Sequence, residues 1–313
     1  MNVKVSIIVC TYNQEKTIAR TLDSIINQST KYLYEIIIGE DCSTDGTRVI
    51  CEEYAKRYPN IINLLPPAPN KGLMRNYRDC VNKCQGEYIM ACAGDDWWSY
   101  QKKIDLQVDF LEKDPNYILA YTGSIRHNVT MGTTVKMDVV VPSNDYFKAL
   151  IDVDFICAPT LCFRRSVFES ISLDEYIDNG YPMEDYPMLL EMCNMGKFKP
   201  MKEHTVTYTH SSDSASTFKS LNKQIDFEKA VQRVRVDMIS KYGKTEISET
   251  YLNDLFYRTM YSHGIKFNDR SFSLCNILKV SNKNLRDYIK IIMASSGILY
   301  WIVRKRNKKF ATE

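Results

Sequence analysis

The first hundred residues alternate short apolar runs with helix-like segments, and this alternation limits the possible folds more than any other feature. The apolar runs are nearly continuous, as in strands covered on both faces; they are Val3–Cys10, Glu35–Gly39, Ile61–Leu65 and Tyr88–Cys92. Helical patterns lie between them, at residues 18–26, Thr47–Tyr58 and Leu73–Cys84. Strands that alternate with helices at this spacing predict an α/β fold with a doubly wound, mostly parallel sheet.

Acidic residues follow two of these predicted strands directly. Glu40 and Asp41 come after the second strand, and Asp95 and Asp96 after the fourth. In a doubly wound sheet, ligands bind beyond the carboxyl ends of the strands. The sequence therefore predicts a binding site at this edge.

The order of elements changes after about residue 101. Helical patterns follow at Lys103–Leu111 and Met188–Met195, and strand-like runs at Tyr117–Tyr121, Val135–Val141, Leu161–Arg164 and His204–Thr209. Beyond residue 218 the chain reads as helical and charged. We therefore expect a domain over residues 1–218 and a helical region over 219–313.

Composition excludes some classes of protein. The 313 residues carry a formal net charge of only +3, which is too small to indicate nucleic-acid binding. The ten cysteines have no disulfide or zinc spacing, and the N-terminus lacks the pattern of a secretory signal. We expect reduced, structural thiols in a cytoplasmic protein.

Asp95 and Asp96 are adjacent carboxylates at the end of a predicted buried strand, an unfavourable arrangement unless a cation or hydrogen-bond donors receive them. Oxygen ligands suit Mg²⁺ or Mn²⁺, which proteins often bind through one or two carboxylates together with substrate phosphates. A turn in which one aspartate caps the next helix is an equally good explanation of this pair alone.

Asp41 can accept a hydrogen bond from a nucleobase or a ribose hydroxyl. Its structural alternative is an N-cap for the helix that begins at Thr47, but Asp45 fits that position better. Asp41 is thus left without an obvious structural role.

Several motifs in order resemble the family 2 glycosyltransferases, which have the GT-A fold. The motifs span about residues 3–218; they are SIIVCTYNQ, IIIGEDCSTDGT, NKGLMRNYRDC, GEYIMACAGDDWW, KIDLQVDFLEKDPNY, APTLCFRR, YPMEDYPMLLEM and YTHSSDSAS. Each motif alone is weak, but their order along the chain is specific.

The resemblance implies a role for each matching residue. Thr11 and Tyr12 would line the nucleotide pocket, and Asp41 would bind the base, usually uracil. Arg75 would lie near the base and diphosphate, Asp95 would reach the ribose or donor sugar, and Asp96 would bind the divalent metal. Asp185 would be the catalytic base beside Glu184, and His210 would help to hold the diphosphate or metal.

The residues at three positions leave questions open. Ala93 stands where many relatives have a further aspartate, which leaves Mn²⁺ or Mg²⁺ with fewer protein ligands. The Asp185 segment by itself is also explained as a helix start with acids near its N-terminus. His210 could equally be a structural histidine.

The resemblance implies an inverting transfer of one sugar from a nucleotide-diphosphate sugar to an acceptor hydroxyl, in the synthesis of a cell-surface polysaccharide, lipopolysaccharide or capsule. A saccharide or a lipid-linked saccharide would be the acceptor. Two alternatives are a non-catalytic protein that binds a nucleotide-sugar and a nucleotidyltransferase, although CTYNQEKT lacks the Gly-rich basic loop that a nucleotidyltransferase needs.

Ile289–Val303 is the most apolar stretch, and five Lys or Arg residues follow it between positions 304 and 309. It is shorter than the about 20 apolar residues that a spanning helix needs. Trp301 beside the cations is typical of interfacial segments. We expect residues 288–313 to attach the protein peripherally to the inner face of the cell membrane, or else to form a helix packed on the catalytic domain.

Overall fold

The computed structural model describes residues 2–142, 145–210 and 218–312, with the backbone alone for 306–312. The chain divides into two compact units, Met1–His210 and Ser211–Glu313. The predicted boundary at residue 218 stays a prediction, because residues 211–217 lie outside the described part.

The first unit holds one mixed sheet, whose strands among the described residues are β1 (Val5–Thr11), β2 (Tyr34–Glu40), β3 (Ile62–Leu64), β4 (Tyr88–Ala91), β5 (Trp97–Trp98), β6 (Tyr117–Asn128), β7 (Thr133–Met137), β8 (Cys162–Arg164) and β9 (Lys197–His210). The strand order is β3-β2-β1-β4-β8-β6-β9-β5, and β7 pairs with β6. The predicted α/β class is confirmed.

The helices of this unit are α1 (Ile18–Ile26), α2 (Thr47–Arg57), α3 (Leu73–Val81), α4 (Lys103–Lys113), α5 (Tyr146–Asp152), α6 (Leu173–Asp178) and α7 (Asp185–Met192). In α1, Ile18, Leu22 and Ile25 recur at helical spacing and are fully buried against the sheet. Strands β1 and β2 are covered on both faces, which explains their continuous apolar runs.

Strands β1, β2, β3 and β4 run parallel to one another. Their carboxyl ends meet at one edge, where Thr11 ends β1, Asp41 follows β2 and Asp95 lies in the turn after β4. Strand β8 then joins β4 in antiparallel pairing. Strand β5 pairs with the end of β9 through Trp97 and Thr207, which brings the Asp95–Asp96 turn to that strand.

Some predicted boundaries are wrong for local reasons. Helix α3 ends at Val81 rather than Cys84, because the amides of Lys83 and Cys84 bond to carbonyls three residues back instead of four. Helix α7 begins at Asp185, before Pro187, since a proline in the first turn loses no helical hydrogen bond. The short strand β5 was not predicted.

The second unit is helical, as expected: α8 (Leu221–Lys241), α9 (Glu249–Phe267), α10 (Arg270–Lys279), α11 (Leu285–Ser295) and α12 (Gly297–Thr312). Its apolar cluster joins α9 and α10 to Ala294 of α11 and Tyr300 of α12. Within the described residues, no helix is both long enough and apolar enough to cross a bilayer.

Candidate active site

Two loops at the carboxyl edge, residues 11–15 and 41–47, bond to each other through their polar side chains. The Asn13 amide donates to Ser43 Oγ, and the Thr44 amide donates to Asn13 Oδ1 at 2.8 Å. The Gly46 amide donates to the Glu15 carboxylate. Asn13 and Cys42 both have positive φ, an unfavourable conformation that such mutual bonds can maintain. This side of the edge is therefore held in one shape before any ligand binds.

Thr11 and Tyr12 begin this pair of loops. Thr11 is buried, and its hydroxyl donates to Gln14 Oε1, whereas the Tyr12 ring is exposed. Gly94 packs so closely here that an added Cβ would lie 2.5 Å from Thr11 Oγ1. The end of β1 is therefore in direct contact with the turn that carries Asp95 and Asp96.

Asp41 is 5% exposed, and its carboxylate accepts hydrogen bonds from the amides of Lys71 and Gly72, both at 2.9 Å. Gly72 reaches this position with φ +81°, where other residues are strained. Asp41 thus has a structural role, contrary to the expectation from sequence. Each carboxylate oxygen has a second lone pair with which it can also accept from a base.

Arg75 lies in the first turn of α3 and is exposed. It lines a pocket of about 250 Å³, together with Lys71, Gly72, Leu73, Met74, Ile177, Tyr181 and Pro182. Among the described residues its guanidinium has no hydrogen-bond or ion-pair partner. A cation that no protein carboxylate neutralises is available to an anionic ligand.

Asp96 is 1% exposed, and its Oδ1 accepts a hydrogen bond from the Thr209 amide at 2.7 Å. Its own carbonyl accepts from Thr21 Oγ1, and the Asp95 carbonyl accepts from Thr209 Oγ1. Burial, and then the charge of Asp95, raise the pKa of Asp96 well above its usual range. Burial also raises the pKa of Asp95. The sequence expectation of an unfavourable carboxylate pair agrees with this geometry.

The fixed cation beside this pair is Arg20, which the sequence did not suggest. Its guanidinium lies 3.6 Å from the centroid of the Trp97 ring and donates to the Asp95 carbonyl rather than to a carboxylate. Contacts of this kind depend on how α1 packs against the β5 turn, and no motif spacing reports them. Thr209 and Thr21 are not identifiable from the sequence for the same reason.

His210 ends β9, one residue after the Thr209 amide that holds Asp96, and it pairs with Asn128 of β6. The residue is half-buried and has an interaction partner. The chain therefore brings His210 to the neighbourhood of Asp96.

Glu184 and Asp185 begin α7. Asp185 Oδ1 accepts a hydrogen bond from the Tyr186 amide at 2.8 Å. Burial raises the pKa of both carboxyls, and together with the Asp185 charge it brings that of Glu184 to about 8. Glu184 Oε2 is buried and has no hydrogen-bond partner among the described residues.

Two thiols show that these acids lie in one region. Contact with Cys80 and burial raise the pKa of Cys10, and the nearby charges of Glu184 and Asp41 raise it further. Burial raises the pKa of Cys157, and the charges of Asp96 and Asp185 add to it. Cys10 therefore lies near Asp41 and Glu184, and Cys157 lies near Asp96 and Asp185.

The arrangement fits a divalent cation that a ligand helps to hold. Among the described residues, no group of three or more His, Cys, Asp or Glu side chains could hold a metal ion. A buried oxygen donor pair with raised pKa is nevertheless stabilised by a cation, and Mg²⁺ or Mn²⁺ commonly takes its remaining ligands from phosphates and water.

A profile of the family described as "Glycosyl transferase family 2" matches residues 6–172, more than half of the chain. An uncharacterised protein of Mycobacterium tuberculosis is 37% identical over 116 residues, which are 37% of this chain and 34% of that protein. EpsE of Bacillus subtilis, named as a candidate glycosyltransferase, is 32% identical over 62% of this chain and 68% of its own length. The chain thus spans only about a third of the mycobacterial relative.

Solved structures with the same fold include S. aureus TarS with UDP-GlcNAc, at a TM-score of 0.55 and 19% identity over 93% of this chain and 79% of that one. The mannosyltransferase PcManGT from Pyrobaculum calidifontis, in complex with GDP-Man and Mn²⁺, has a TM-score of 0.53 and 14% identity over 98% of this chain and 88% of that one. At these identities the likeness concerns the fold.

Proposed function

The chain belongs to glycosyltransferase family 2, and from this premise we propose that it transfers one sugar from a nucleotide-diphosphate sugar to an acceptor hydroxyl with inversion. The observation that carries the proposal is the shared region of two acidic pairs with raised pKa values, Asp95–Asp96 and Glu184–Asp185, beside a preformed loop pair. A purely structural sheet edge would not retain four carboxyls in surroundings that raise the pKa of each.

The donor would lie along the carboxyl edge. Thr11, Tyr12 and Asp41 would receive the base, and Arg75 would face the diphosphate. Asp95 would reach the ribose or the sugar. We propose UDP as the nucleotide; TarS binds UDP-GlcNAc, but PcManGT binds GDP-Man, so both nucleotides need testing.

Asp96 and His210 would hold Mn²⁺ or Mg²⁺. When bound, the ion supplies Lewis-acid stabilisation of the charge that develops on the leaving diphosphate. Arg75 adds a fixed cation for the same charge. Asp185 would take the proton from the acceptor hydroxyl at the opposite face of the sugar, which is general-base work.

Asp185 suits this task because burial raises its pKa, and a more basic carboxylate accepts a proton more readily. Attack from the side opposite to the diphosphate inverts the anomeric configuration. The proton leaves the hydroxyl oxygen as that oxygen forms its bond to the anomeric carbon.

The experiment is a panel of UDP- and GDP-sugars with p-nitrophenyl glycosides as acceptors, in Mn²⁺ or Mg²⁺, monitored by release of the nucleotide. Wild type should release nucleotide with at least one pair, and Asp185→Asn should not. A wild type that binds UDP but turns over none of the panel would favour a non-catalytic nucleotide-sugar-binding protein. Release of pyrophosphate in a parallel assay with UTP or GTP and a sugar 1-phosphate would instead indicate a nucleotidyltransferase.

We propose synthesis of a cell-surface polysaccharide as the setting. One relative is named for the transfer of a sugar to a polymer. It is the poly(ribitol-phosphate) β-glucosyltransferase of Bacillus spizizenii, 33% identical over 32% of this chain and 17% of its own length. The acceptor would be a saccharide or a lipid-linked saccharide.

A peripheral contact with the inner face of the cell membrane is the second part of the proposal. Helices α11 and α12 pack inward through Ala294 and Tyr300. Their outer residues are apolar and exposed: Leu285 is 76% exposed and Ile298 75%, with Ile292 and Trp301 also exposed. A monomer rarely leaves such a surface in water.

The charges near this surface favour anionic lipid over an uncharged partner. Lys305 Nζ lies 4.9 Å from the centroid of the Trp301 ring, and Arg286 and Lys290 lie on α11. Basic residues near an anionic leaflet contribute about 1 kcal/mol each.

Sedimentation with vesicles tests this contact. The protein should pellet with vesicles of phosphatidylcholine and phosphatidylglycerol but not with phosphatidylcholine alone. Deletion of residues 288–313, or Ile298→Ser with Trp301→Ser, should release it. Val153→Ser, which likewise replaces an exposed apolar side chain, is the control. Unchanged pelleting of the deletion variant would contradict the proposal.

A further inference from the structure

A buried polar cluster lies at the start of α4, and none of the roles above uses it. Lys103, Gln107 and Thr160 are all fully buried. The Lys103 ammonium donates to Gln107 Oε1 and to the Thr160 carbonyl, the latter at 3.2 Å. It also lies 5.2 Å from the centroid of the Trp98 ring.

Gln107 completes the cluster. Its Nε2 donates to the Ala120 carbonyl of β6 and to the Thr160 carbonyl, both at 2.9 Å. The Thr160 carbonyl therefore accepts from both side chains. Three elements, α4, β6 and the 3₁₀ turn Ala158–Thr160, meet at these atoms.

The cluster is unfavourable if it serves packing alone. Among the described residues, no carboxylate lies within ion-pair distance of Lys103. Burial lowers the pKa of Lys103 to about 8, which the thiols of Cys162, Cys92 and Cys157 offset only in part. Apolar residues of the same volume are often as stable as buried charges, or more so.

The position of the cluster suggests what it does. Trp98 follows Asp96 by two residues, and Thr160 follows Cys157 by three. Burial raises the pKa of Cys157 most, and the nearby charge of Asp96 and then that of Asp185 raise it further. Cys157 therefore lies close to both carboxylates. The Thr160 amide and hydroxyl both donate to the Cys157 carbonyl. One end of the cluster therefore borders the proposed metal side of the site, and the other end holds the turn near Asp185, the proposed catalytic base.

We propose that Lys103 and Gln107 are positioning residues for the transfer step: they fix the turn at residues 157–160 against Trp98 and so set the space between Asp96 and Asp185 in which the acceptor hydroxyl meets the donor sugar. The inference rests on the proposed function. Neither side chain touches a substrate, since both are fully buried.

The deciding variant is Gln107→Glu. It keeps the size of the side chain and an acceptor for Lys103, but removes both N–H donors to the carbonyls of Ala120 and Thr160. Lys103→Met removes the charge at similar length. Lys102→Met is the matched control, because Lys102 is the exposed neighbour.

Three quantities are measured on each folded variant. Calorimetry gives the Kd of UDP with Mn²⁺, the panel gives kcat and the acceptor KM for the pair that wild type uses, and hydrogen exchange reports the amides of Thr160 and Leu161. We expect UDP Kd to stay within about twofold. Exchange at the turn should accelerate, and the acceptor kcat/KM should fall at least tenfold, in Gln107→Glu and Lys103→Met but not in Lys102→Met.

The alternatives have separate outcomes. Faster exchange with wild-type kcat and KM would make the cluster purely structural and overturn the inference. An equal loss of UDP affinity and acceptor kcat/KM would indicate general damage and also overturn it. If Lys103→Met does not fold, Gln107→Glu decides alone. A wild type that transfers no sugar would instead contradict the proposed function.

Discussion

The two sides of the carboxyl edge satisfy their polar groups in opposite ways. Around Asn13, Asp41 and Gly72, the side chains and amides bond to one another, and Asp41 receives two backbone amides. Asp96 is buried and Asp185 half-buried; each carboxyl has few hydrogen-bond donors, and the pKa of each is raised. The first side is complete as it stands, whereas under the proposed function a cation and substrate would complete the second. Changes on the first side should alter binding and stability, and those on the second should alter catalysis.

The largest effect is expected at the second side. Asp185→Asn should lower kcat about 10³-fold, as the loss of a general base does, and leave UDP Kd unchanged. Asp96→Asn should also lower kcat strongly. Glu184→Gln is the comparison, and it should retain more activity. Undiminished kcat in Asp185→Asn would remove it as the base.

The same side should limit stability at neutral pH. Folded-state pKa values of Asp95 and Asp96 lie above their unfolded values, so the folded protein binds protons more tightly. Stability without ligand should therefore fall as the pH rises through these folded-state values. Asp96→Asn should raise Tm at pH 7 and weaken that dependence, and a lowered Tm would contradict the comparison.

Gly94 joins the two sides, and Gly94→Ala should lower stability by about 1–3 kcal/mol, as overpacking does. The added Cβ would lie 2.8 Å from Thr11 Cβ, which is fixed on a buried strand. Denaturant titration measures this loss. Gly132→Ala is the control for steric cause: no atom lies within 4 Å of its added Cβ, so only its positive φ is strained.

Gly72→Ala tests the first side through backbone strain alone. No atom lies within 4 Å of the added Cβ, so the cost is backbone strain of about 1–3 kcal/mol. The amides that Asp41 accepts should shift, and UDP Kd should rise about tenfold while kcat at saturating donor stays near wild type. Calorimetry and saturation kinetics separate the two quantities. A loss confined to kcat would contradict the division.

The smallest effect is expected at Asn13. Asn13→Gly tolerates the positive φ but loses the hydrogen bonds from Thr44. Asn13→Ala loses the same hydrogen bonds and is also strained at positive φ. Thermal unfolding should rank wild type above Asn13→Gly and Asn13→Ala lowest, with steps of about 1 kcal/mol. Equal stability of the two variants would show that φ carries no cost here.

The parallel half of the fold was predictable because the buried strands β1 and β2 have continuous apolar runs and acidic residues follow β2 and β4. Asp96 and Asp41 were identifiable from the sequence as acidic residues that follow strands. The two backbone amides that donate hydrogen bonds to Asp41 were not identifiable. Arg20 and Thr209 were not predictable, because their contacts join residues that the sheet alone brings together. Lys103 looked like one of two lysines at a helix start, and only packing distinguishes it from Lys102.

The pairing of β5 with the end of β9 has a consequence for synthesis of the protein. The Thr209 amide and the Asp96 carboxylate that it holds are 113 residues apart in the chain. Such distant contacts form late, after the intervening chain has been made and ordered. A growing polypeptide that has left the ribosome only as far as β8 would present Asp95 and Asp96 without their strand partner, and catalytic competence should therefore appear only once translation has passed β9.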